Sequence, residues 1–278
     1  MVISGSTGII AHVGYPTHSF KSPLIYNPYF EKAGVDAVVV PMGCKAEDFP
    51  AFLPSLFRLT NLRGALITMP HKVATTRLVD ELRPAAAVAG ACNAVRRDAA
   101  GRLVGDLFDG EGFVRGARAH GCRLEGARAL VVGTGGVGCA IAAALAASGV
   151  AALTLHDVRP ELASALARRL ADHYPRLRVE TGGADPAGKD LVVNATPLGM
   201  NAGDPLPVDV SRLETDTFVG EVVLEPESTP FLQAARARGC RSMAGIDMLF
   251  EQIPAYLEFF GLPAASAAQL RAGAQLRR

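Results

Sequence analysis

The sequence lacks several features that would assign it to common classes of protein. It has no tryptophan, aromatic residues make up only 6% of the chain, and its cysteines form no C-x-x-C pair. An odd number of scattered cysteines argues against both a disulfide framework and a zinc site, so we expect a protein of a reducing compartment. The five cysteines are Cys44, Cys92, Cys122, Cys139 and Cys240.

An excess of charge of either sign is also missing. Lys and Arg number 28 against 27 Asp and Glu, which disfavours nucleic acid and anionic membranes as partners. The opening stretch, MVISGSTGIIAHVGYP, lacks a cationic segment followed by an apolar block, so we expect no secretory signal and a cytoplasmic location. Residues 129–155 carry no charge, but their glycines and alanines indicate a buried strand, turn and helix rather than a membrane span.

What is present is enough apolar sequence for two cores. The chain has 278 residues, 49% of them hydrophobic, and short apolar runs alternate with helical patterns. This alternation predicts an α/β protein with two domains that meet near residue 108. The predicted strands are 8–13, 37–41, 65–69, 93–97, 102–106, 127–132, 152–156, 178–180, 191–194, 218–224 and 241–243. The predicted helices are 23–33, 47–58, 71–82, 110–120 and 160–174, and the chain after Gly245 is again helical.

The stretch VVGTGGVGCAIAAAL, from Val131 to Leu145, contains a candidate nucleotide-binding loop. Gly133, Gly135 and Gly138 form G-x-G-x-x-G between an apolar strand and an alanine-rich helix, with Gly136 and Val137 inside the motif. Such glycines let the backbone turn sharply and approach a pyrophosphate, whose charge meets the amide groups at the helix start. The same pattern also occurs where a strand and a helix simply pack closely.

Asp157 lies 19 residues beyond Gly138, at the end of the next predicted strand. An acidic residue there accepts hydrogen bonds from ribose hydroxyls and repels a 2′-phosphate, so we expect NAD rather than NADP. Alternatively, Asp157 caps the helix over 160–174. Arg159 is the residue that would permit NADP by pairing with the phosphate.

Several separated motifs between Ala11 and Phe260 together resemble one family. They are THSFKSPLIYN, LITMPHK, GACNA, LFDGEGF, NATPLGM and GIDMLFEQ. In this order they are similar to the motifs of the shikimate and quinate dehydrogenases. The resemblance implies a catalytic substrate domain of residues 1–108 plus 246–278, with the C-terminal helix returning to it, and a Rossmann dinucleotide-binding domain of residues 109–245. It also implies a cofactor lying in a cleft and no metal, and the six histidines show no paired ligand spacing.

Carried over by position, the resemblance makes Lys72 and Asp109 the catalytic pair. A positioned ammonium can pass a proton to a carbinol oxygen and stabilise an alkoxide, while a carboxylate orients the ammonium. Otherwise Lys72 is a solvated surface charge and Asp109 caps a helix. The resemblance also implies substrate-binding residues, namely Ser22, Thr68, Asn93 and Gln252, and further cofactor-binding residues, namely Asn194, Ala195, Thr196, Met200 and Gly245.

Four positions depart from the family pattern in the same direction, each from a hydrogen-bonding group to a bulky apolar one. They are Phe20, Leu66, Phe108 and Leu224; in addition, Glu221 replaces an aspartate and Ala94 a threonine. A buried hydroxyl without a partner costs about 1–3 kcal/mol. The pocket, including Phe20 and Leu224, is therefore expected to favour a less hydroxylated substrate. Ser19 and Lys21 are alternative ligands for the substrate carboxylate if the loop shifts by one residue; otherwise they are solvated.

The expected function is hydride transfer between a nicotinamide cofactor and a cyclic hydroxy or keto acid, of the shikimate, dehydroshikimate or quinate type or less hydroxylated. This would place the protein in the shikimate pathway of aromatic amino acid biosynthesis or in quinate metabolism, as a monomer or homodimer. One alternative is a non-catalytic NAD-binding sensor on the same fold. Another is a two-domain enzyme such as a folate dehydrogenase, which would not need these motifs in this order.

Overall fold

A computed structural model describes residues 2–276, which form two compact units. The first unit comprises residues up to Phe108 together with those from Ile253 onward, and the second comprises Asp109–Gln252. The elements of the first 108 residues are β1 (Gly8–Gly14), α1 (Ser22–Ala33), β2 (Ala37–Gly43), α2 (Phe49–Leu56), β3 (Leu62–Ile67), α3 (Lys72–Thr75), β4 (Glu81–Leu82), α4 (Pro84–Ala89), β5 (Ala94–Arg97) and β6 (Leu103–Asp106).

The sheet of the first unit has the order β2-β1-β3-β5-β6-β4. Strands β1, β2 and β3 are parallel, whereas β5 runs antiparallel to both β3 and β6. Strand β1 is buried along nearly all of its length because it lies in the middle of three parallel strands. The carboxyl ends of β1 and β3 therefore meet at one edge of the sheet, where Val13 is paired with Ile67.

The second unit is built around an entirely parallel sheet. Its elements are α5 (Asp109–Ala119), β7 (Arg128–Val132), α6 (Gly136–Ala147), β8 (Ala152–His156), α7 (Pro160–His173), β9 (Arg178–Thr181), β10 (Leu191–Asn194), β11 (Phe218–Glu221), α8 (Pro230–Ala237), β12 (Arg241–Met243) and the start of α9 (Gly245–Phe259). The strand order is β12-β11-β10-β7-β8-β9, which is the doubly wound arrangement of dinucleotide-binding domains. Leu130, Val192 and Val219 form its buried centre.

Helix α9 continues into the first unit, where α10 (Ala267–Gly273) follows it. The Gln275 amide donates to the Leu24 carbonyl oxygen at 2.8 Å, so this last segment is hydrogen-bonded to α1. The predicted α/β class, with two domains and a C-terminal segment returning to the first, is confirmed. None of the helices within residues 2–276 has the length and apolar character needed to cross a bilayer.

Two predicted elements end three or more residues earlier in the structure. The helix expected over 71–82 ends at Thr75, because the Asp80 amide donates to the Leu103 carbonyl and the Asp80 carboxylate accepts from the Leu103 amide. This pairing draws the chain into the sheet as β4. The strand expected over 218–224 ends at Glu221, whose carboxylate accepts from the amides of Val222 and Val223 and so bends the chain.

Helix α5 packs directly on α6 through Gly110. A Cβ atom at this position would collide with the Ala140 carbonyl oxygen and lie 2.7 Å from the Ala144 Cβ. Backbone atoms of a packed helix cannot move away as a flexible side chain would.

We therefore expect Gly110→Ala to lower the free energy of unfolding by about 1–3 kcal/mol, as overpacking does. Urea denaturation followed by circular dichroism measures this change. Gly183→Ala is the matched control, because a Cβ there meets nothing within 4 Å. Equal stabilities of the two variants would contradict the close packing of α5 on α6.

Candidate active site

The loops that follow β1 and β3 are hydrogen-bonded to each other. The Thr68 amide donates to the Val13 carbonyl at 2.9 Å, and the Tyr15 amide donates to the Met69 carbonyl at 3.0 Å. Between them, a Cβ on Gly14 would collide with the Thr68 methyl group and lie 3.0 Å from the Phe20 ring. The structure thus brings Phe20 and Thr68 together at the carboxyl edge of the sheet.

Lys72 and Asn93 lie next to this edge. Lys72 is half-buried at the start of α3, and its carbonyl accepts from the Cys92 amide at 2.8 Å. The Asn93 carbonyl in turn accepts from the Ile67 amide at the end of β3. Backbone hydrogen bonds therefore place both predicted residues beside the end of β3.

The Asn93 side chain is only 1% exposed, and its amide is half satisfied. Its Oδ1 accepts from the Phe108 amide at 3.0 Å, which fixes the orientation of the group. Its Nδ2 is buried and has no hydrogen-bond partner among the residues that the structure describes. Because buried amide hydrogens normally have acceptors, this group is suited to a ligand oxygen.

Ser22, the predicted carboxylate ligand, is the first residue of α1 and is half-buried. The two alternative ligands differ in accessibility, since Ser19 is exposed and Lys21 is half-buried.

The four positions at which an apolar residue replaces the hydrogen-bonding residue of the family have different environments. Leu66 and Phe108 are buried, and Phe108 packs edge-to-face on Tyr256 and Phe259, at 4.8 and 5.5 Å between ring centroids. Phe20 and Leu224 are half-buried and remain accessible. Phe108 therefore belongs to the core of the first unit, whereas Phe20 and Leu224 can contact a ligand.

In the second unit, the glycine loop has the geometry of a phosphate cradle. Gly133 has φ +95°, and a Cβ there would lie 2.7 Å from the Ala195 carbonyl oxygen. A Cβ on Gly138 would collide with the Gly133 carbonyl oxygen, whereas one on Gly135 would meet nothing within 4 Å. Gly133 and Gly138 thus close the turn, and Gly135 leaves room above it. Helix α6 then begins at Gly136 and Val137 with its amide groups facing the loop, which fits a pyrophosphate.

Asp157 is bound to this loop. Its Oδ2 accepts from the Thr134 amide at 2.7 Å and the Thr134 hydroxyl at 2.9 Å, and its Oδ1 accepts from the Arg159 amide at 2.9 Å. Burial raises the pKa of the Asp157 carboxyl, but the hydrogen bonds from Arg159 and Thr134 outweigh burial and bring that pKa below its usual value. The carboxylate therefore supports the loop. Sequence reasoning missed Thr134, although a hydroxyl residue between the first two glycines was the available signal.

Asn194 is completely buried at the end of β10 and uses both ends of its amide. Its Oδ1 accepts from the Thr196 amide and hydroxyl, and its Nδ2 donates to the Leu198 carbonyl and to Glu221. Asn194 thus shapes the segment that contains Ala195, Thr196 and the half-exposed Met200.

Glu221 and Thr229 were not predicted as site residues, yet they complete this network. Burial raises the pKa of the Glu221 carboxyl, although donors from Val223, Asn194, Thr229 and Val222 oppose the shift. Gly245 approaches the same turn, because a Cβ there would lie 2.7 Å from the Val222 carbonyl oxygen. The loop bearing Leu224 is therefore held at both ends.

Asp109 and Gln252 lie on neighbouring helices of the second unit. Asp109 is 4% exposed at the start of α5, and one turn later Gly112 packs against Gln252 on α9. Gln252 is 8% exposed, and its buried Oε1 has no hydrogen-bond donor among residues 2–276. Like Asn93 in the first unit, Gln252 is suited to a polar ligand.

Known proteins similar to this chain match it over nine-tenths or more of its length. Residues 13–95 match the family model of the shikimate dehydrogenase substrate binding domain. The chain is 37% identical over 264 residues to the shikimate dehydrogenase (NADP(+)) of Acidiphilium cryptum, covering 94% of each chain. It is 38% identical over 254 residues to the shikimate dehydrogenase (NADP(+)) of Rubrobacter xylanophilus, covering 90% of this chain and 89% of that one. The quinate dehydrogenase from Corynebacterium glutamicum, solved in complex with NAD, is 32% identical with a TM-score of 0.86, over 96% of this chain and 98% of that chain.

The expected preference for NAD over NADP is wrong. Both shikimate dehydrogenases above carry the NADP(+) designation, as do further curated relatives. The inference relied on a free Asp157 carboxylate at the ribose, but both of its oxygens already accept from Thr134 and Arg159. The carboxylate holds the glycine loop, so its charge is no guide to the phosphate.

Identity above 30% over nine-tenths of the chain therefore agrees with the motifs and the fold: this chain belongs to the shikimate dehydrogenase family.

Proposed function

We propose that the protein is an NADP-dependent dehydrogenase that interconverts a hydroxyl and a keto group on a cyclic carboxylic acid. The substrate is of the shikimate, dehydroshikimate or quinate type, or a less hydroxylated analogue. The observation that carries this proposal is a pair of buried amide atoms, Asn93 Nδ2 and Gln252 Oε1, that have no hydrogen-bond partner within residues 2–276. Both are residues that the family resemblance assigns to substrate hydroxyls. Lys72 and Asp109 occur together in the same chain, which supports an enzyme over a cofactor-binding sensor.

In this proposal, residues of both units bind the substrate, and the second unit binds the cofactor. The pyrophosphate binds in the open space next to Gly135. There it accepts hydrogen bonds from the amides of Gly136 and Val137. Asn194 positions the segment from Ala195 to Met200 beside the loop, and Gly245 lets α9 approach the turn after β11. Arg159 pairs with the 2′-phosphate, since its side chain is 66% exposed and lies next to Asp157.

Lys72 is the residue that transfers the proton to or from the substrate oxygen. A bound nicotinamide would supply hydride chemistry, giving hydride to the carbonyl carbon or taking it from the carbinol carbon. In the reducing direction, negative charge builds on the carbonyl oxygen, and the Lys72 ammonium donates a proton to it and stabilises the alkoxide. In the oxidising direction, the neutral Lys72 amine takes the hydroxyl proton. The family resemblance gives Asp109 the role of the carboxylate that orients the Lys72 ammonium.

Substrate selection depends on polar and apolar residues of both units. Ser22 at the start of α1 binds the carboxylate, and Thr68, Asn93 and Gln252 bind hydroxyls. Phe20 and Leu224, half-buried and apolar, reduce the number of hydroxyl partners and favour a less hydroxylated ring. The five cysteines are free and buried, which is consistent with a cytoplasmic enzyme.

Lys72→Ala is expected to lower kcat by about 100-fold or more, because it removes the proton donor and acceptor. Steady-state kinetics with NADP and shikimate measure kcat, and fluorescence titration measures NADP affinity, which should be unchanged. The control is Lys32→Ala, an exposed lysine of α1. Full turnover by the Lys72 variant would show that another group transfers the proton.

Arg159→Ala is expected to raise the KM for NADP by about 10- to 100-fold, since hydrogen bonds to charged groups contribute about 1.5–3 kcal/mol. The KM for NAD, which has no 2′-phosphate, should stay within about twofold. Initial-rate kinetics with each cofactor give both values, with the exposed Arg168→Ala as control. A parallel loss with NADP and NAD would assign Arg159 to the loop structure instead.

Phe20→Ser combined with Leu224→Tyr is expected to raise kcat/KM for shikimate about tenfold or more, because two hydroxyl partners are restored. The measurement is kcat/KM for shikimate and for a ring acid with a single hydroxyl, which should not improve. If shikimate turnover does not rise, these two apolar residues do not set the selectivity of the pocket.

A further inference from the structure

His12 is a polar residue in the buried middle of a sheet, and no role above uses it. It lies on β1, is 8% exposed, and its Nδ1 is buried without a hydrogen-bond partner in the described part of the chain. Burying such an atom unpaired costs free energy that an aliphatic side chain would avoid. Its presence on an otherwise apolar strand therefore indicates a partner other than the residues that the structure describes.

The surroundings of His12 place it in the candidate substrate site. The Phe20 ring stacks on the imidazole with 4.0 Å between ring centroids and an interplanar angle of 25°. Burial, with a smaller contribution from the charge of Lys72, lowers the pKa of His12 to about 3. The imidazole is therefore neutral at neutral pH, and it lies close enough to Lys72 to experience its charge.

Two of the apolar residues that replace hydrogen-bonding residues of the family, Leu66 and Phe20, are neighbours of His12. Leu66 on β3 is its register partner, so the two side chains are neighbours on one face of the sheet. Phe20 covers the same face from the loop after β1, and Thr68 lies two residues beyond Leu66. Leu66 and Phe20 cannot form side-chain hydrogen bonds, but His12 on the adjacent strand β1 can.

We propose that His12 is a specificity-determining residue whose imidazole contacts a hydroxyl group of the substrate, beside Lys72 and Thr68. A hydroxyl both donates and accepts, so it satisfies Nδ1 in either tautomer of a neutral imidazole. A substrate carboxylate only accepts, and it remains with Ser22. This inference rests on the proposed function.

The test compares the wild-type enzyme with His12→Leu and His12→Asn. The leucine variant removes the polar atoms, and the asparagine variant retains a polar atom near the position of Nδ1. Each is assayed with NADP and with shikimate and analogues that each lack one ring hydroxyl. His12→Leu should lower kcat/KM for shikimate by about 10- to 100-fold, mainly through KM, and asparagine should restore part of it. One of the analogues lacks the hydroxyl that His12 contacts. For this analogue, the wild type and His12→Leu should have equal kcat/KM values.

Thermal unfolding of the unliganded protein separates this role from a structural one. His12→Leu should melt at or above the wild-type temperature, because no hydrogen bond is lost. His71→Leu is the matched control: His71 Nε2 lies 2.8 Å from the Cys44 carbonyl oxygen, so this variant should melt below the wild type. A lower melting temperature for His12→Leu, or equal losses with every analogue, would overturn the proposal.

The proposed function can fail separately. If the wild type turns over none of these acids, the dehydrogenase substrate class is wrong, and the thermal shift produced by shikimate then tests His12 directly. The shift should be smaller for His12→Leu than for the wild type. Equal shifts, or none in either protein, would overturn the role of His12.

Discussion

A polar atom that is buried without a hydrogen-bond partner costs about 1–3 kcal/mol, and this constraint separates two kinds of polar residue in the protein. Asn194, Glu221 and Thr229 satisfy one another and hold the turns after β10 and β11. Asn93, Gln252 and His12 each keep one buried atom without a partner among the described residues. The first group explains how the loops keep their shape, and the second group indicates where a ligand would complete the hydrogen bonding.

The cofactor loop depends on close backbone approach more than on charge. Gly133 and Gly138 allow contacts that any side chain would block, and Asp157 fixes the loop through Thr134. This explains why the prediction of NAD over NADP was wrong. An acidic residue directly after β8 can bind the ribose of the cofactor, or it can support the glycine loop as Asp157 does. Sequence spacing cannot distinguish the two uses, since both place the carboxylate at the same point of the fold.

The apolar substitutions of the substrate unit form a coherent change. Leu66 and Phe108 are part of the core, while Phe20 is half-buried and covers His12. The same sequence has Lys72 and Asp109. Proton transfer needs a positioned ammonium, whereas recognition needs matched hydrogen-bond partners, so a family can alter the second while retaining the first.

The sequence by itself determined the alternation of strands and helices, the glycine loop after β7 and the family, because these depend on local periodicity and on motifs of a few residues. It also identified Lys72, Asn93 and Gln252 as candidates, but it did not indicate which of their atoms have partners. Only the tertiary structure decided that α3 ends at Thr75, that Asp157 binds Thr134 and that His12 lies beside Leu66. Each of these depends on a partner distant in sequence, and pairing between distant residues is fixed by the packing of the whole unit, which no local pattern specifies.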